Sequence, residues 1–130
     1  MSDKPLFHIV LQRRDWDCGV AALASLIGQP YEEVLREAAK WFAVERGLFS
    51  TEMIHIAKQF ETTLKRRVKR IDLEEQCGVL TLRFPSNNEH AVLLTNGMIF
   101  DPQENGTVWD AETYIEFYKA KVLDLLEEVD

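Results

Sequence analysis

The sequence predicts an α+β fold, and three observations carry that expectation. Apolar residues recur at helical spacing through the first half of the chain. From Gly78 onward they gather instead into short, strand-length runs. Between two of those runs lies Asn96-Gly97, the strongest short-range hairpin signal a sequence offers. Helices followed by antiparallel strands place helices against a sheet, not alternating with its strands.

The first helix is expected to start at Cys18, with Asp17 as its cap, and to stop at Gly28, a residue suited to the left-handed C-terminal position. Val20, Leu23, Ala24 and Ile27 fall on its buried stripe. Pro30 opens a second helix, with Glu32 and Glu33 in the first turn, where the helix dipole favours anions. Its stripe is Val34, Ala38, Trp41 and Phe42. Gly47 interrupts, and Ser50 is the expected cap of a third helix carrying Met53, Ile56, Ala57 and Phe60. Leu64 to Arg70 alternates loosely, as a short exposed strand would. Gly78 to Phe84, Ala91 to Thr95 and Met98 to Phe100 are expected as strands, the last closed by Asp101-Pro102. Asp110 then caps what the spacing of Ile115, Tyr118, Val122, Leu125 and Leu126 predicts to be a long C-terminal helix.

The chain has 130 residues, 15 Lys and Arg against 22 Asp and Glu, and a net charge of -7. That length is expected to form a single domain spanning 1–130, without room for a fused transporter or ATPase module. No apolar run approaches the ~20 residues of a membrane helix, so no membrane insertion is expected. The apolar stretch within Met1 to Leu11 is too short for a signal peptide. Two cysteines cannot form a disulfide scaffold, which points to a reducing, cytoplasmic setting. The negative balance argues against nucleic acid, whose affinity rests on counterion release by Lys and Arg.

Cys18 is the most informative residue. At the first turn of a helix it meets unpaired backbone N–H groups and the positive dipole end, which favour a nucleophilic thiolate. Cysteine is also among the most buried residue types and packs as a small hydrophobe, so position alone leaves both roles open. A thiolate needs an imidazole oriented by a third group. His8, His55 and His90 are the candidates. His55 lies between core positions of the third helix, and His8 has no orienting partner. His90 precedes the Ala91 strand, whose hairpin mate ends in Asp101. A two-residue turn pairs Thr95 with Met98, and hence Val92 with Asp101. His90 then shares a sheet face with Asp101 as a diagonal neighbour about 7–8 Å away, within reach of its carboxylate. Gln12, six residues before Cys18, carries an amide of the type that stabilises a developing oxyanion.

Gln12-x5-Cys18-Gly19, a helix running to Gly28, Glu89-His90-Ala91-Val92-Leu93-Leu94 and Asp101-Pro102 together resemble the motifs of the bacteriocin-processing, double-glycine leader peptidases. These are papain-like cysteine peptidase domains usually fused to ABC transporters, and the resemblance runs from about Leu11 to Pro102. It implies a papain-like fold with Cys18 as nucleophile, His90 as general base and acid, Asp101 orienting His90, and Gln12 in the oxyanion hole. Trp16 and Gly19 would border the substrate cleft, and the substrate would be a peptide or protein. The His-to-Asp hairpin is shorter than the family's usual one, and Ala91 stands where an aromatic residue is common. A thiol acyltransferase or amidase would use the same groups. A peptide-binding or regulatory module that keeps the fold without catalysis is the alternative of another class.

Other features receive ordinary readings. Lys65, Arg66, Arg67, Lys69 and Arg70 fit a solvated edge strand guarded by positive charge. Cys77 is a packing residue. Cys18, His90 and Asp101 are ligand types zinc accepts, but no paired spacing supports a metal site, and neither metal nor cofactor is expected. The acidic run from Asp124 to Asp130 is the expected frayed end of the last helix.

Overall fold

The computed structural model describes residues 9–103 and 107–129. His8 and Asp130 lie outside them. Among the described residues, four α-helices, one 3-10 turn and a six-stranded antiparallel sheet make an α+β arrangement. The helices are α1 (Cys18–Ile27), α2 (Tyr31–Trp41), α3 (Ser50–Gln59) and α4 (Ala111–Tyr118). The strands are β1 (Thr63–Arg67), β2 (Gly78–Arg83), β3 (Glu89–Thr95), β4 (Met98–Phe100), β5 (Val108–Asp110) and β6 (Lys121–Val129), ordered β1-β6-β2-β3-β4-β5 across the sheet.

The sheet separates two cores. Val79, Ala91, Leu93 and Leu126 face α1, α2 and α3. Leu80, Leu82, Val92, Leu94 and Leu125 face Ala111 and Tyr114 of α4. Strand alternation explains the division, because successive side chains leave opposite faces. α1 is buried on nearly every side, from Gly19 to Leu26, and not only along the expected stripe. Its small residues Ala21, Ala22, Ala24 and Ser25 make that possible, since an apolar helix without a polar face belongs inside a fold. It ends at Gly28, in the left-handed conformation at φ 70°.

Two caps differ from expectation. Asp17 occupies the N-cap position of α1, but its side chain makes no capping hydrogen bond. Its buried carboxylate accepts from the N–H groups of Arg13 and Arg14, both at 3.0 Å, and from the Tyr31 hydroxyl. Burial and then the Asp17 hydrogen bond push the Tyr31 phenol up to about 12. At α3 the cap is Phe49, whose N–H donates to Glu52 at 2.9 Å, while Ser50 Oγ donates to Asp124 at 2.6 Å.

The main correction lies at the C-terminal end, where the expected long helix is a short helix followed by a strand. α4 is capped by Asp110 as expected, whose side chain accepts from Thr113 N–H at 3.0 Å. It stops at Tyr118, because Lys119 adopts φ 52° and the Ala120 N–H turns back to Ile115 O at 2.9 Å. Residues 121–129 then form β6, which pairs with β1 on one side and β2 on the other. A central strand is covered on both faces, so Val122-Leu123-Asp124-Leu125-Leu126 needs no alternation, and the same apolar positions also fit helical spacing. The acidic run, as far as Val129, is therefore part of the sheet. Asp124, 2% exposed, is held by Ser50 and by Arg66 Nε at 2.7 Å, and Glu127 accepts from Arg67 Nε at 2.9 Å. β1 is an edge strand carrying Lys65, Arg66 and Arg67, two of which now have acidic partners across the ladder.

Gly78 opens β2 against β6 so closely that a Cβ there would lie 2.0 Å from the Leu126 carbonyl oxygen. Gly78→Ala is expected to lower stability by about 1–3 kcal/mol through this backbone clash. Gly28→Ala, at an open but left-handed position, is expected to lower it by about 1–2 kcal/mol. Urea unfolding of the two variants checks both, and a neutral Gly78→Ala would contradict the close approach.

Candidate active site

The β3–β4 connection has the register that the sequence predicts. Thr95 pairs with Met98, Leu94 with Ile99 and Leu93 with Phe100, around a turn in which Asn96 and Gly97 both take positive φ (54° and 75°). Only a two-residue loop of that hand matches strand twist, and Asn-Gly adopts it at little cost. Asp101 follows β4 directly and His90 lies at the start of β3. The two side chains meet, with His90 Nε2 and Asp101 Oδ1 2.8 Å apart. They are 7% and 2% exposed, so little water competes for the contact.

The carboxylate is further held. Its Oδ1 accepts from the Gln103 N–H at 2.9 Å and its Oδ2 from the Tyr114 hydroxyl at 2.6 Å. Burial alone would raise the Asp101 carboxyl; His90, Tyr114 and the Gln103 N–H outweigh it and keep the group below the usual carboxylate range. Burial likewise opposes a charged His90. The hydrogen bonds and charges of Asp101 and Cys18 prevail there and push its pKa up to about 9.

Cys18 reaches this pair from the other layer. It packs against the helix-side core at the first residue of α1, whereas His90 shares the strand parity of Val92 and Leu94 on the α4 side. The layers converge at the end of the sheet, where Cys18 Sγ accepts from the Ala91 N–H at 3.5 Å and lies close enough to His90 to help raise the pKa of its ring. With Nε2 committed to Asp101, Nδ1 is the ring nitrogen left for the thiol. Cys18, Gly19 and His90 line one cleft of about 630 Å³, bordered by Leu48 and Phe49 on one side and Asn88 on the other. The side chain of Asp17 does not cap α1, so the first N–H groups of the helix are not consumed by it.

The remaining expected residues fall elsewhere. Gln12 hangs on the same loop by a backbone hydrogen bond to Pro102 O at 3.1 Å, but its side-chain amide donates to Arg14 O at 2.7 Å. Its side chain lines a different hollow, beside Pro30 and Tyr31. Trp16 is half-buried and is not part of the cleft wall, whereas Gly19 is. His55 sits edge-on to Trp41 and Phe42, at ring distances of 4.9 and 5.6 Å, as a packing residue. Cys77 contacts Thr95 Oγ1 at 3.6 Å, away from the cleft. Among the described residues, no group of three or more His, Cys, Asp or Glu side chains is arranged to hold a metal ion. No helix among them is long and apolar enough to cross a membrane.

Sequence reasoning passed over Tyr114 and the Ala91 N–H. Tyr114 lies one residue off the stripe assigned to the last helix. Its only signal is that a buried tyrosine hydroxyl usually finds a partner, and burial is not legible without the fold. In comparisons with known proteins, no family model and no curated protein matches this chain.

The His90 shift has a definite sign. A pKa raised from 6.5 to about 9 adds stability that is fully present below 6.5 and is lost as pH rises through 9. Unfolding free energy is expected to fall across that window by at most about 1.4 kcal/mol per pH unit. His90→Gln is expected to flatten the slope in urea titrations at pH 6 to 10. A wild-type His90 ring titrating by NMR near 6.5 would contradict the raised value.

Proposed function

We propose that the chain is a thiol hydrolase acting on peptide or related amide bonds, with a papain-like arrangement resembling that of the double-glycine leader peptidases. The observation that supports this most is the meeting of Cys18 and His90 at one cleft, with Asp101 Oδ1 2.8 Å from His90 Nε2 behind it. In this reading Cys18 Sγ attacks the substrate carbonyl carbon, and the C–N bond breaks as the imidazolium of His90 gives a proton to the leaving amine. Water, deprotonated by the neutral imidazole, then hydrolyses the thioester and frees Cys18. Asp101 keeps the ring turned so that Nδ1 faces the thiol and the substrate.

The oxyanion of the tetrahedral intermediate would be met by the Cys18 N–H at the start of α1. Gln12 joins it only if its amide leaves the Arg14 carbonyl. Transfer of the acyl group to another acceptor would use the same residues. Both cysteines are free, which suits a reducing compartment such as the cytoplasm.

A second reading is a peptide-binding module that retains the fold without turnover, and the engagement of Gln12 away from the cleft favours it. Iodoacetamide separates the two. Hydrolysis predicts that Cys18 is alkylated at least about tenfold faster than Cys77 near neutral pH. It also predicts that His90→Ala lowers cleavage of a fluorogenic peptide by about 10²–10⁴-fold. Equally slow labelling of both cysteines, with peptide binding that survives Cys18→Ala, would establish the binding module instead.

A further inference from the structure

We infer that Tyr114 is a positioning residue for the Cys18–His90 pair, acting through the carboxylate of Asp101. The inference rests on the hydrolase reading above and extends it to α4, an element outside the hairpin that supplies His90 and Asp101.

The terminal torsion of an aspartate side chain is soft and roughly two-fold, so one hydrogen bond to one oxygen does not fix the plane of its carboxylate. At Asp101 both oxygens are engaged. Oδ1 meets His90 and the Gln103 N–H, and Oδ2 meets the Tyr114 hydroxyl at 2.6 Å. Remove that hydroxyl and Oδ2 becomes a buried acceptor without this donor, which favours rotation of the carboxylate or its protonation. Rotation withdraws Oδ1 from His90 and protonation weakens it as an acceptor, and either way the ring is held less firmly toward the thiol.

The tyrosine is itself held firmly enough to serve as a reference point. It is 1% exposed, and its ring lies 5.5 Å from Trp109 and 4.7 Å from Tyr118, centroid to centroid. Tyr118 of the same helix packs on Phe84 at 5.7 Å, and Phe84 lies 6.0 Å from the His90 ring. α4 therefore acts on both members of the acid–imidazole pair, by a direct hydrogen bond to Asp101 and, through the intervening Phe84 ring, by packing toward His90.

Tyr114→Phe removes the hydroxyl and keeps the ring. The groups facing Asp101 are His90 from β3, Tyr114 from α4 and the Gln103 N–H of its own loop, with Cys18 of α1 beyond His90. In the Phe variant the acid limb of Cys18 alkylation by iodoacetamide is expected to move up by about one pH unit, slowing labelling on that limb about tenfold. A ring that only packs would leave the limb in place. In an Asp101→Asn background the Phe substitution is expected to change the rate less than about twofold, since its target is gone. An unmoved acid limb in Tyr114→Phe, with Cys18 still labelled selectively in the wild type, overturns the inference alone. So does a full tenfold effect on top of Asp101→Asn. Wild-type protein without selective Cys18 labelling overturns the hydrolase reading, and the inference falls with it.

Discussion

A carboxylate taken out of water must be met by donors or it gives up its charge, and Asp101 is a point in this fold where that requirement is concentrated. It is 2% exposed and receives a histidine ring, a tyrosine hydroxyl and a backbone N–H. Those donors come from β3, from α4 and from the loop after β4. Satisfying one anion therefore draws three parts of the chain into register, and the cleft holding Cys18 forms where they close. The buried Asp17 does the same on the other layer, gathering residues 13 and 14 and the Tyr31 hydroxyl around the start of α1. The helix that carries the thiol and the hairpin that carries the imidazole are thus each seated by their own buried acid.

Local signals were legible where the chemistry is short-range. Asn96-Gly97 favours a two-residue loop, and loop length dictates which residues share a face, so the meeting of His90 with Asp101 is legible in the sequence once that loop length is taken. A three-residue loop would have put them on opposite faces. Gly28 and Asp110 likewise mark the helix boundaries where they were expected. Cys18 at the first position of α1 belongs to the same category.

What was not legible depends on neighbours distant in the chain. Residues 121–126 satisfy both a helical stripe and a doubly covered strand, and only the presence of β1 and β2 on either side decides between them. Gln12 has the right residue type at the right distance from Cys18, yet a nearby carbonyl, that of Arg14, claims its amide. Asp17 was placed correctly as the residue before α1, but its charge is used by the preceding loop and by Tyr31 and not by the helix. In each case a polar group had more than one partner within reach, and the sequence does not rank them.

The position of β6 has a bearing on how the sheet assembles in time. Among the described residues β1 pairs with no strand other than β6, and 53 residues separate Arg67 from Lys121 in the sequence. As the chain emerges during synthesis, the hairpin of β3 and β4 and the first three helices have their partners at hand, whereas β1 waits with an open edge. Bringing its mate across that interval is a loop-closure step of high contact order, which makes it a slow one. During the wait the backbone of β1 is exposed to other chains, and Lys65, Arg66 and Arg67 repel a second copy of the same edge. When β6 arrives, Asp124 and Glu127 neutralise two of those charges, and a strand protected against the wrong partner becomes attractive to the right one.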